Sequence, residues 1–299
     1  MSDFHSGFIA IVGKPNAGKS TLMNALVGEK VSIVTWRPQT TRNNILGILN
    51  GDNYQAVFID TPGVLKPKNH LGDYMKESIE RATDDVNGIV YVIDAGRKVD
   101  VEDTELLNKY IQTGIPVIVA VNKVDEVTPD KLHSVLVELN KLQGYSVVIH
   151  ISALRGKNLE KLKEIIIGLL TDDIKYYDDD MYTDSNINFL VTEIIREKAM
   201  RLLEKEVPYG IGVSLNKFEE KTNGMVDIDA NIYCEKAAHK PIIIGKGGSM
   251  LKKIGTYSRQ DIETLLNQKV YLALWVKVKE DWRDSDLLLK QLGYNKKDL

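Results

Sequence analysis

The residues with the clearest chemistry form a phosphate-binding loop near the amino terminus. The loop is Gly13-Lys14-Pro15-Asn16-Ala17-Gly18-Lys19-Ser20, and Thr21 follows it. Its glycines let the backbone turn so that N–H groups face phosphate oxygens. In this pattern Lys19 reaches the β- and γ-phosphates and the Ser20 hydroxyl ligates Mg²⁺. The spacing therefore predicts a site for a nucleoside triphosphate.

A second motif predicts the base. Asn122-Lys123-Val124-Asp125 follows one apolar run, and Ser152-Ala153 ends a later one. A buried carboxylate at Asp125 accepts from two donors on the guanine edge, and adenine would leave it unpaired. We expect Asn122 to tie this loop to the phosphate loop, the Lys123 stem to cover the base, and the Ala153 N–H to face the guanine oxygen. The predicted ligand is GTP, with GDP as the product.

Two segments between these motifs are expected to respond to the third phosphate. In Asp60-Thr61-Pro62-Gly63, Asp60 suits the outer shell of Mg²⁺ and the Gly63 N–H suits the γ-phosphate. Upstream, Thr40 and Thr41 offer oxygens to the metal, and the sequence leaves open which is the ligand. Loops held by the γ-phosphate and released on hydrolysis form a switch. The predicted catalytic residues are Lys19, Thr40, Thr41 and Gly63.

The position that often holds a water-orienting glutamine in small GTPases is Val64 here, followed by Leu65. Neither side chain orients water, so hydrolysis needs a backbone group, a water network, a metal ion or a partner. GTPases with asparagine at the position of Asn16 and an apolar residue in place of glutamine include potassium-activated members. Our hypothesis is that K⁺ accelerates hydrolysis through Asn16; the alternative is that Asn16 only stabilises its loop.

Composition and charge restrict the class of protein. A chain of 299 residues, 43% of them hydrophobic, suggests two domains with their own cores. A net charge of −3 excludes a uniformly basic nucleic-acid binder, so RNA contact requires a local patch. The single cysteine, Cys234, excludes an internal disulfide and is interpreted as packing. No basic leader and no apolar run of about 18 residues is present, which predicts a cytoplasmic protein.

The order of apolar runs and helical stretches predicts the fold. Their alternation up to Ile151 indicates an α/β domain whose mostly parallel sheet has helices on both faces, with the ligand at the carboxyl ends of the strands. Helices are predicted at 71–83, 101–113, 128–143 and 158–170. The predicted divisions are a GTPase domain at 1–172, an acidic linker at 173–187, and a second domain at 188–299 with a short carboxyl-terminal tail.

The second domain has the predicted order α-β-β-α-α-β. A helix at 189–206 precedes strands at 211–215, 226–234 and 270–278. Between two helical pieces stands a glycine loop, an arrangement with which KH domains clamp single-stranded RNA; taken alone, the loop could be a plain turn. Residues 245–260 hold four basic side chains and no acidic one. The predicted RNA-binding residues are Gly245, Lys246, Gly247, Gly248, Lys252, Lys253 and Arg259.

The order of these motifs resembles that of the bacterial Era family over nearly the whole chain. The motifs that carry the resemblance are the phosphate loop, Gln39-Thr40-Thr41-Arg42, Asp60-Thr61-Pro62-Gly63, Asn122-Lys123-Val124-Asp125 and the glycine loop. The resemblance implies a Mg²⁺-dependent GTPase of small ribosomal subunit assembly. It also implies binding of the 3′ end of 16S ribosomal RNA by a type II KH domain, and peripheral contact with the inner membrane. We expect a monomer.

Other classes of protein fit parts of the sequence. The missing glutamine also fits a GTP-gated RNA-binding module with negligible turnover. The basic residues Lys252, Lys253 and Arg259 also fit a membrane-associated regulatory GTPase whose basic face meets anionic lipid. A kinase with a phosphate loop is poorly supported, because the guanine motif has no role there.

Overall fold

The computed structural model describes residues 4–64 and 66–296, so Leu65 lies outside the described residues. The first domain contains a six-stranded sheet in the order β2-β3-β1-β4-β5-β6. Its strands are β1 (His5–Val12), β2 (Ile45–Asn50), β3 (Tyr54–Asp60), β4 (Gly88–Asp94), β5 (Val117–Asn122) and β6 (Val147–His150). The β2–β3 pair is antiparallel and the other pairs are parallel. The predicted mostly parallel sheet is confirmed.

Helices cover both faces of this sheet. They are α1 (Lys19–Val27), α2 (His70–Ala82), α3 (Val101–Ile111), α4 (Pro129–Leu139) and α5 (Leu159–Ile167). Ile9 and Ile11 of β1 face one apolar core, and Ala10 and Val12 face the other. A strand buried on both faces has a continuous apolar sequence, which is why β1 was recognisable. In the described part of the chain, no helix is both long enough and apolar enough to cross a bilayer.

Some helices end earlier than the periodicity predicts. The α4 helix ends at Leu139 rather than at 143, and α5 ends at Ile167 rather than at 170. After α4 the chain turns toward β6, and Gly144 takes a left-handed φ of 97° in that turn. The apolar residues that follow each helix still pack on the core, so the apolar spacing in the sequence continues past the last helical residue.

The second domain has the predicted element order. It comprises α6 (Ile187–Leu202), β7 (Gly212–Glu220), β8 (Met225–Cys234), α7 (His239–Ile244), α8 (Ser249–Leu266) and β9 (Lys269–Val278). β8 pairs antiparallel with β7 and parallel with β9, and α7 and α8 make the crossover that the parallel pair requires. Cys234 is fully buried, so its interpretation as packing is confirmed. The α6 helix ends four residues before the predicted 206, since Leu203 is extended and Pro208 follows in a short 3₁₀ turn.

The acidic segment between the domains is bound along the first domain. Asp172, the residue before this segment, pairs through its backbone with Ser6 of β1, and within the segment the Tyr182 carbonyl accepts from the Ile48 N–H at 2.9 Å. The side chain of Gln55 accepts from two further N–H groups of the segment. Among the described residues, no group of three or more acidic, histidine or cysteine side chains is placed to hold a metal ion.

The carboxyl-terminal residues form an apolar cluster with the first domain. A 3₁₀ turn at Trp282–Asp284 and helix α9 (Asp286–Gln291) pack against α2. The buried members of this cluster are Leu71, Tyr74, Met75, Trp282, Leu289 and Tyr294. Sequence analysis predicted only a short tail here. The contact was missed because its two halves are about 200 residues apart in sequence.

Candidate functional site

A cavity of about 930 Å³ lies at the carboxyl ends of the parallel strands. It brings together most of the residues predicted to bind the nucleotide: Lys14, Pro15, Asn16, Gly18, Lys19, Ser20, Thr21, Thr40, Thr41, Gly63, Asn122, Lys123, Asp125, Ser152 and Ala153. Five predicted residues do not line it, namely Gly13, Ala17, Asp60, Thr61 and Pro62. Thr61 instead binds the β1 backbone, where its hydroxyl donates to the Ile11 carbonyl at 2.8 Å.

The phosphate loop needs glycine at specific positions. A Cβ on Gly18, where φ is 97°, would lie 2.3 Å from the Asn122 amide nitrogen. Gly63 packs so closely on the loop that a Cβ there would lie 2.8 Å from the Cα of Pro15. Both glycines therefore permit close approach of backbone segments around the phosphate site.

Lys19 is buried in the loop, and its Nζ donates to the carbonyls of Gly13 and Lys14 at 3.0 and 3.1 Å. Burial lowers the pKa of Lys19 to about 8, although Asp60 acts in the opposite direction. Lys14 differs, because its ammonium forms ion pairs with Asp100 and Asp103 at 2.6 and 3.1 Å. The acids of α3 thus already neutralise Lys14, which leaves Lys19 as the ammonium suited to phosphate.

The oxygen-bearing side chains of Ser20, Thr41 and Asp60 meet beside Lys19, and the Ser32 hydroxyl also donates to Asp60 Oδ2 at 2.8 Å. The Ser20 hydroxyl lies 2.6 Å from Asp60 Oδ2 and 2.9 Å from the Thr41 hydroxyl. Thr41 Oγ1 lies 3.3 Å from the same carboxylate oxygen. Asp60 is fully buried, and its Oδ1 has no hydrogen-bond partner among the described residues. Burial raises the pKa of Asp60, while Lys19 and the surrounding hydroxyls act to lower it.

The two candidate threonines have different surroundings. The Thr40 hydroxyl lies 2.6 Å from that of Thr35 and donates to the Arg37 carbonyl at 2.8 Å. These are bonds within its own loop, whereas the Thr41 hydroxyl joins Ser20 and Asp60. Thr41 is therefore the threonine beside Ser20 and Asp60, and we call the place where these three side chains meet the metal corner.

At the base end, Asn122 makes the predicted tie. Its Nδ2 donates to the Ala17 carbonyl at 2.9 Å. Its Oδ1 accepts from the Ala153 N–H at 2.9 Å, so that N–H already has an acceptor instead of standing free for guanine. Lys123 lines the cavity and pairs with Asp94 at 2.6 Å.

Asp125 lies at the cavity mouth, where its side chain is 22% exposed and its Oδ2 lies 3.8 Å from Arg155 Nε. The Ser152 hydroxyl lowers the pKa of Asp125, which favours the ionised acceptor at neutral pH. The base end therefore offers a mostly covered, ionised carboxylate acceptor at the cavity mouth.

Residues 33–42, which we call the switch segment, form one wall of the cavity and also contact the second domain. Ile33 through Thr41 line the cavity. The same segment also forms hydrogen bonds with α6, three through its own backbone and one through the Arg37 side chain, and the sequence did not predict them. These bonds run from the Val34 N–H to Glu197, from Arg201 to the Val34 carbonyl, from Arg37 to the Met200 carbonyl and from Arg196 to the Thr40 carbonyl. Their residues are more than 150 positions apart, so no local pattern indicates them.

The glycine loop stands between α7 and α8 as predicted. Gly245, Gly247 and Gly248 have φ values of 75°, 57° and 79°, a region that favours glycine. The predicted basic residues Lys246, Lys252, Lys253 and Arg259 are all exposed. Lys252 and Arg259 are seven residues apart on α8 and therefore share one face of that helix. An exposed basic face beside an open glycine loop suits a phosphodiester backbone.

Fold and site together define a phosphate-loop GTPase joined to a KH domain. A family model described as a 50S ribosome-binding GTPase matches residues 8–123, and a KH-domain model matches residues 206–283.

Full-length relatives identify the family. The GTPase Era of Clostridium botulinum strain Okra is 50% identical over 293 residues, 98% of this chain and 99% of the relative. That of Clostridium kluyveri is 50% identical over 289 residues, 97% of this chain and 99% of the relative. The chain belongs to the Era family of GTPases.

Two solved structures have the same architecture. One is Era in complex with MgGDPNP and nucleotides 1506–1542 of 16S ribosomal RNA; its TM-score is 0.94 at 39% identity, over 98% of this chain and 99% of the other. The second is a variant of Aquifex aeolicus Era bound to GDP and AlF₄⁻, with a TM-score of 0.94 at 38% identity over 98% of this chain and all of the other. The resemblance noted from the motifs is confirmed.

Proposed function

We propose that this GTPase uses Mg²⁺ to hydrolyse GTP, binds the 3′ end of 16S ribosomal RNA through its KH domain, and acts in assembly of the small ribosomal subunit. The observation that carries the proposal is the position of the switch segment, which lines the nucleotide cavity and bonds to α6 of the KH domain. The RNA partner is supported by the related Era structure that holds a 16S ribosomal RNA segment.

The metal corner fits Mg²⁺. Hard cations of this size prefer oxygen ligands, and three oxygen-bearing side chains converge there. The buried, unpartnered Oδ1 of Asp60 is a site where a cation would relieve an unsatisfied acceptor. We assign Ser20 and Thr41 as the Mg²⁺ ligands. Asp60 supports these two ligands, and Thr40 is not a ligand. Bound Mg²⁺ neutralises charge that develops on the phosphates during transfer.

The chain's own residues account for binding and specificity. Lys19 and the loop N–H groups bind the phosphates, and the Gly63 N–H faces the third one. Asp125 accepts from guanine and becomes buried by it, and Asn122 holds the two loops together. Because Asn122 also occupies the Ala153 N–H, a guanine oxygen at Ala153 would share that donor.

K⁺ is proposed as a second cation. Asn16 is exposed in the phosphate loop, with a φ of 63°, and lines the cavity together with Val64, which cannot orient water. Turnover should be higher in KCl than in NaCl at equal ionic strength, and Asn16→Ala should remove the difference. Equal turnover of the unaltered protein in the two salts would refute the proposal.

The test of RNA binding is anisotropy of a labelled single strand from the 3′ end of 16S ribosomal RNA. The protein is measured with a GTP analogue, with GDP and without nucleotide, and linkage requires RNA to shift nucleotide affinity by the same factor. Gly247→Asp places a carboxylate where a Cβ meets nothing within 4 Å, so it should weaken RNA binding and leave GTP binding unchanged. Gly247→Asn is the uncharged control of the same shape. Equal RNA affinity of the two variants would reject the phosphate-binding role of the loop.

The remaining proposals concern the domain boundaries and the location of the protein in the cell. We propose boundaries at 172 and 188, because Asp172 is the last residue whose backbone pairs with β1 and α6 starts at Ile187, next to the second boundary. We also propose a cytoplasmic monomer, in keeping with a role on the ribosome.

Any contact with the inner membrane must compete with RNA for the basic face of α8, and each basic residue adds only about 1 kcal/mol near anionic lipid. Vesicles that fail to displace RNA would favour RNA as the ligand of that face.

A further inference from the structure

Arg42 is a buried charge that the nucleotide site does not use. It follows Thr41 directly, but its side chain enters the second domain and is only 1% exposed. Its Nη1 donates to the Ile211 carbonyl at 2.7 Å, and its Nη2 donates to the Tyr209 carbonyl at 3.0 Å. Burial lowers the pKa of Arg42. A guanidinium can satisfy two carbonyls at once because its donors form a planar fork.

Two aromatic rings also contact Arg42. Its guanidinium lies 5.6 Å from the centre of the Trp282 ring, and its Nη1 is 3.3 Å from the Tyr294 hydroxyl. Tyr294 in turn packs edge-on against Tyr74 of α2, with ring centres 5.8 Å apart. We call the carbonyls of Tyr209 and Ile211 and the rings of Trp282 and Tyr294 the Arg42 cage.

The cage connects both segments that surround the γ-phosphate position. Arg42 is joined to Thr41, which lies at the metal corner. The α2 helix, which begins seven residues after Gly63, touches the cage through Tyr74. Arg196 of α6, itself 1% exposed and paired with Glu193, holds the Thr40 carbonyl from the other side. The second domain thus binds both neighbours of Thr41, the Thr40 residue through its backbone carbonyl and the Arg42 residue through its side chain.

We propose that Arg42 is the positioning residue that couples Thr41 at the nucleotide site to the second domain; this inference rests on the proposed switch function. Adjacent Cα atoms are about 3.8 Å apart, so a displacement of Thr41 out of the metal corner pulls on the backbone of Arg42. A shift of about 1 Å would stretch the cage hydrogen bonds beyond their working range. A buried guanidinium that loses its acceptors is strongly disfavoured. Occupancy of the cage and placement of Thr41 therefore change together.

The coupling factor is the ratio of the dissociation constants of the 16S single strand with GDP and with a GTP analogue. We expect at least about fivefold in the unaltered protein, the lower end of typical coupling. Arg42→Lys keeps the charge but loses the fork, and should reduce the factor to below about twofold while GDP affinity changes little. Arg283→Lys is the control, because Arg283 adjoins Trp282 but pairs with Glu235 inside the second domain.

Trp282 supplies a readout that a purely structural role would not change. The other tryptophans are removed as Trp36→Phe and Trp275→Phe, because Trp36 lines the cavity and Trp275 is 57% exposed. Replacing GDP by the GTP analogue should shift the Trp282 emission, and adding Arg42→Lys should abolish the shift. Tyr294→Phe, which removes only the hydroxyl contact, serves if Arg42→Lys does not fold, and should lower the coupling factor at least about twofold.

The possible results distinguish a failure of the proposed switch function from a failure of the proposed role of Arg42. A coupling factor of one in the unaltered protein rejects the proposed switch function. A factor above one that Arg42→Lys leaves unchanged, with the Trp282 shift retained, overturns the role of Arg42 and leaves the switch intact. If only Tyr294→Phe folds, an unchanged factor also overturns the role of the cage.

Discussion

Replacement of Thr41 by alanine tests the assignment of the metal corner. Thr41→Ala removes a hydroxyl 2.9 Å from Ser20 Oγ and 3.3 Å from the Asp60 carboxylate. Thr40→Ala is a matched control, because it removes the same group from the neighbouring residue, whose hydroxyl bonds only within the switch segment. The two variants differ in which oxygen is lost and in little else.

The size of the expected effect follows from the contacts that each threonine hydroxyl makes. A hydrogen bond to a charged group contributes about 1.5 to 3 kcal/mol. At about 1.4 kcal/mol per factor of ten, its loss from the state that holds the metal and the third phosphate is about ten- to 150-fold. The Thr40 bonds join neutral groups at a partly exposed residue, so we expect Thr40→Ala to change turnover by less than about threefold.

The assay is single-turnover GTP hydrolysis at saturating Mg²⁺, with GDP affinity measured in parallel. Thr41→Ala should lower the hydrolysis rate and the affinity for the GTP analogue by the factor above, and leave GDP affinity within about threefold because GDP lacks the third phosphate. Equal effects of the two variants, or a larger effect of Thr40→Ala, would show that Thr41 is not the metal ligand.

Two further predictions concern the base and the phosphates. Asp125→Asn should weaken GTP binding about ten- to 150-fold, because a charged acceptor is lost, and should improve binding of xanthosine triphosphate, whose C2 carbonyl can accept from an amide. Competition against labelled GDP measures both affinities. An unchanged preference for GTP would place guanine recognition elsewhere. Because burial lowers the pKa of Lys19 to about 8 in the free protein, GTP binding above that pH must take up a proton. Affinity should then be flat below pH 8 and fall up to about tenfold per unit above it. Calorimetry in buffers of different ionisation enthalpy should detect the uptake, and a flat affinity to pH 9.5 would contradict this role of Lys19.

The sequence alone determined the elements and motifs whose mechanics are local. The phosphate loop, the Asn122–Asp125 turn and the glycine loop each depend on a few consecutive residues, so their types and spacing were sufficient. The parallel sheet was predictable because strands buried on both faces have continuous apolar runs. Element ends were less predictable, since α6 stops where Leu203 becomes extended ahead of Pro208, while its apolar pattern continues.

How these parts meet depends on contacts between residues that are far apart in the sequence. Thr40 and Thr41 are equivalent in sequence, and the approach of the switch segment to Ser20 and Asp60 distinguishes them. The place of Asp125 at the cavity mouth depends on a cavity built from several strand ends. The Arg42 cage joins residues about 170 to 250 positions apart. Contacts at such separations follow from the packing of one domain on the other, and local periodicity in the sequence does not indicate them.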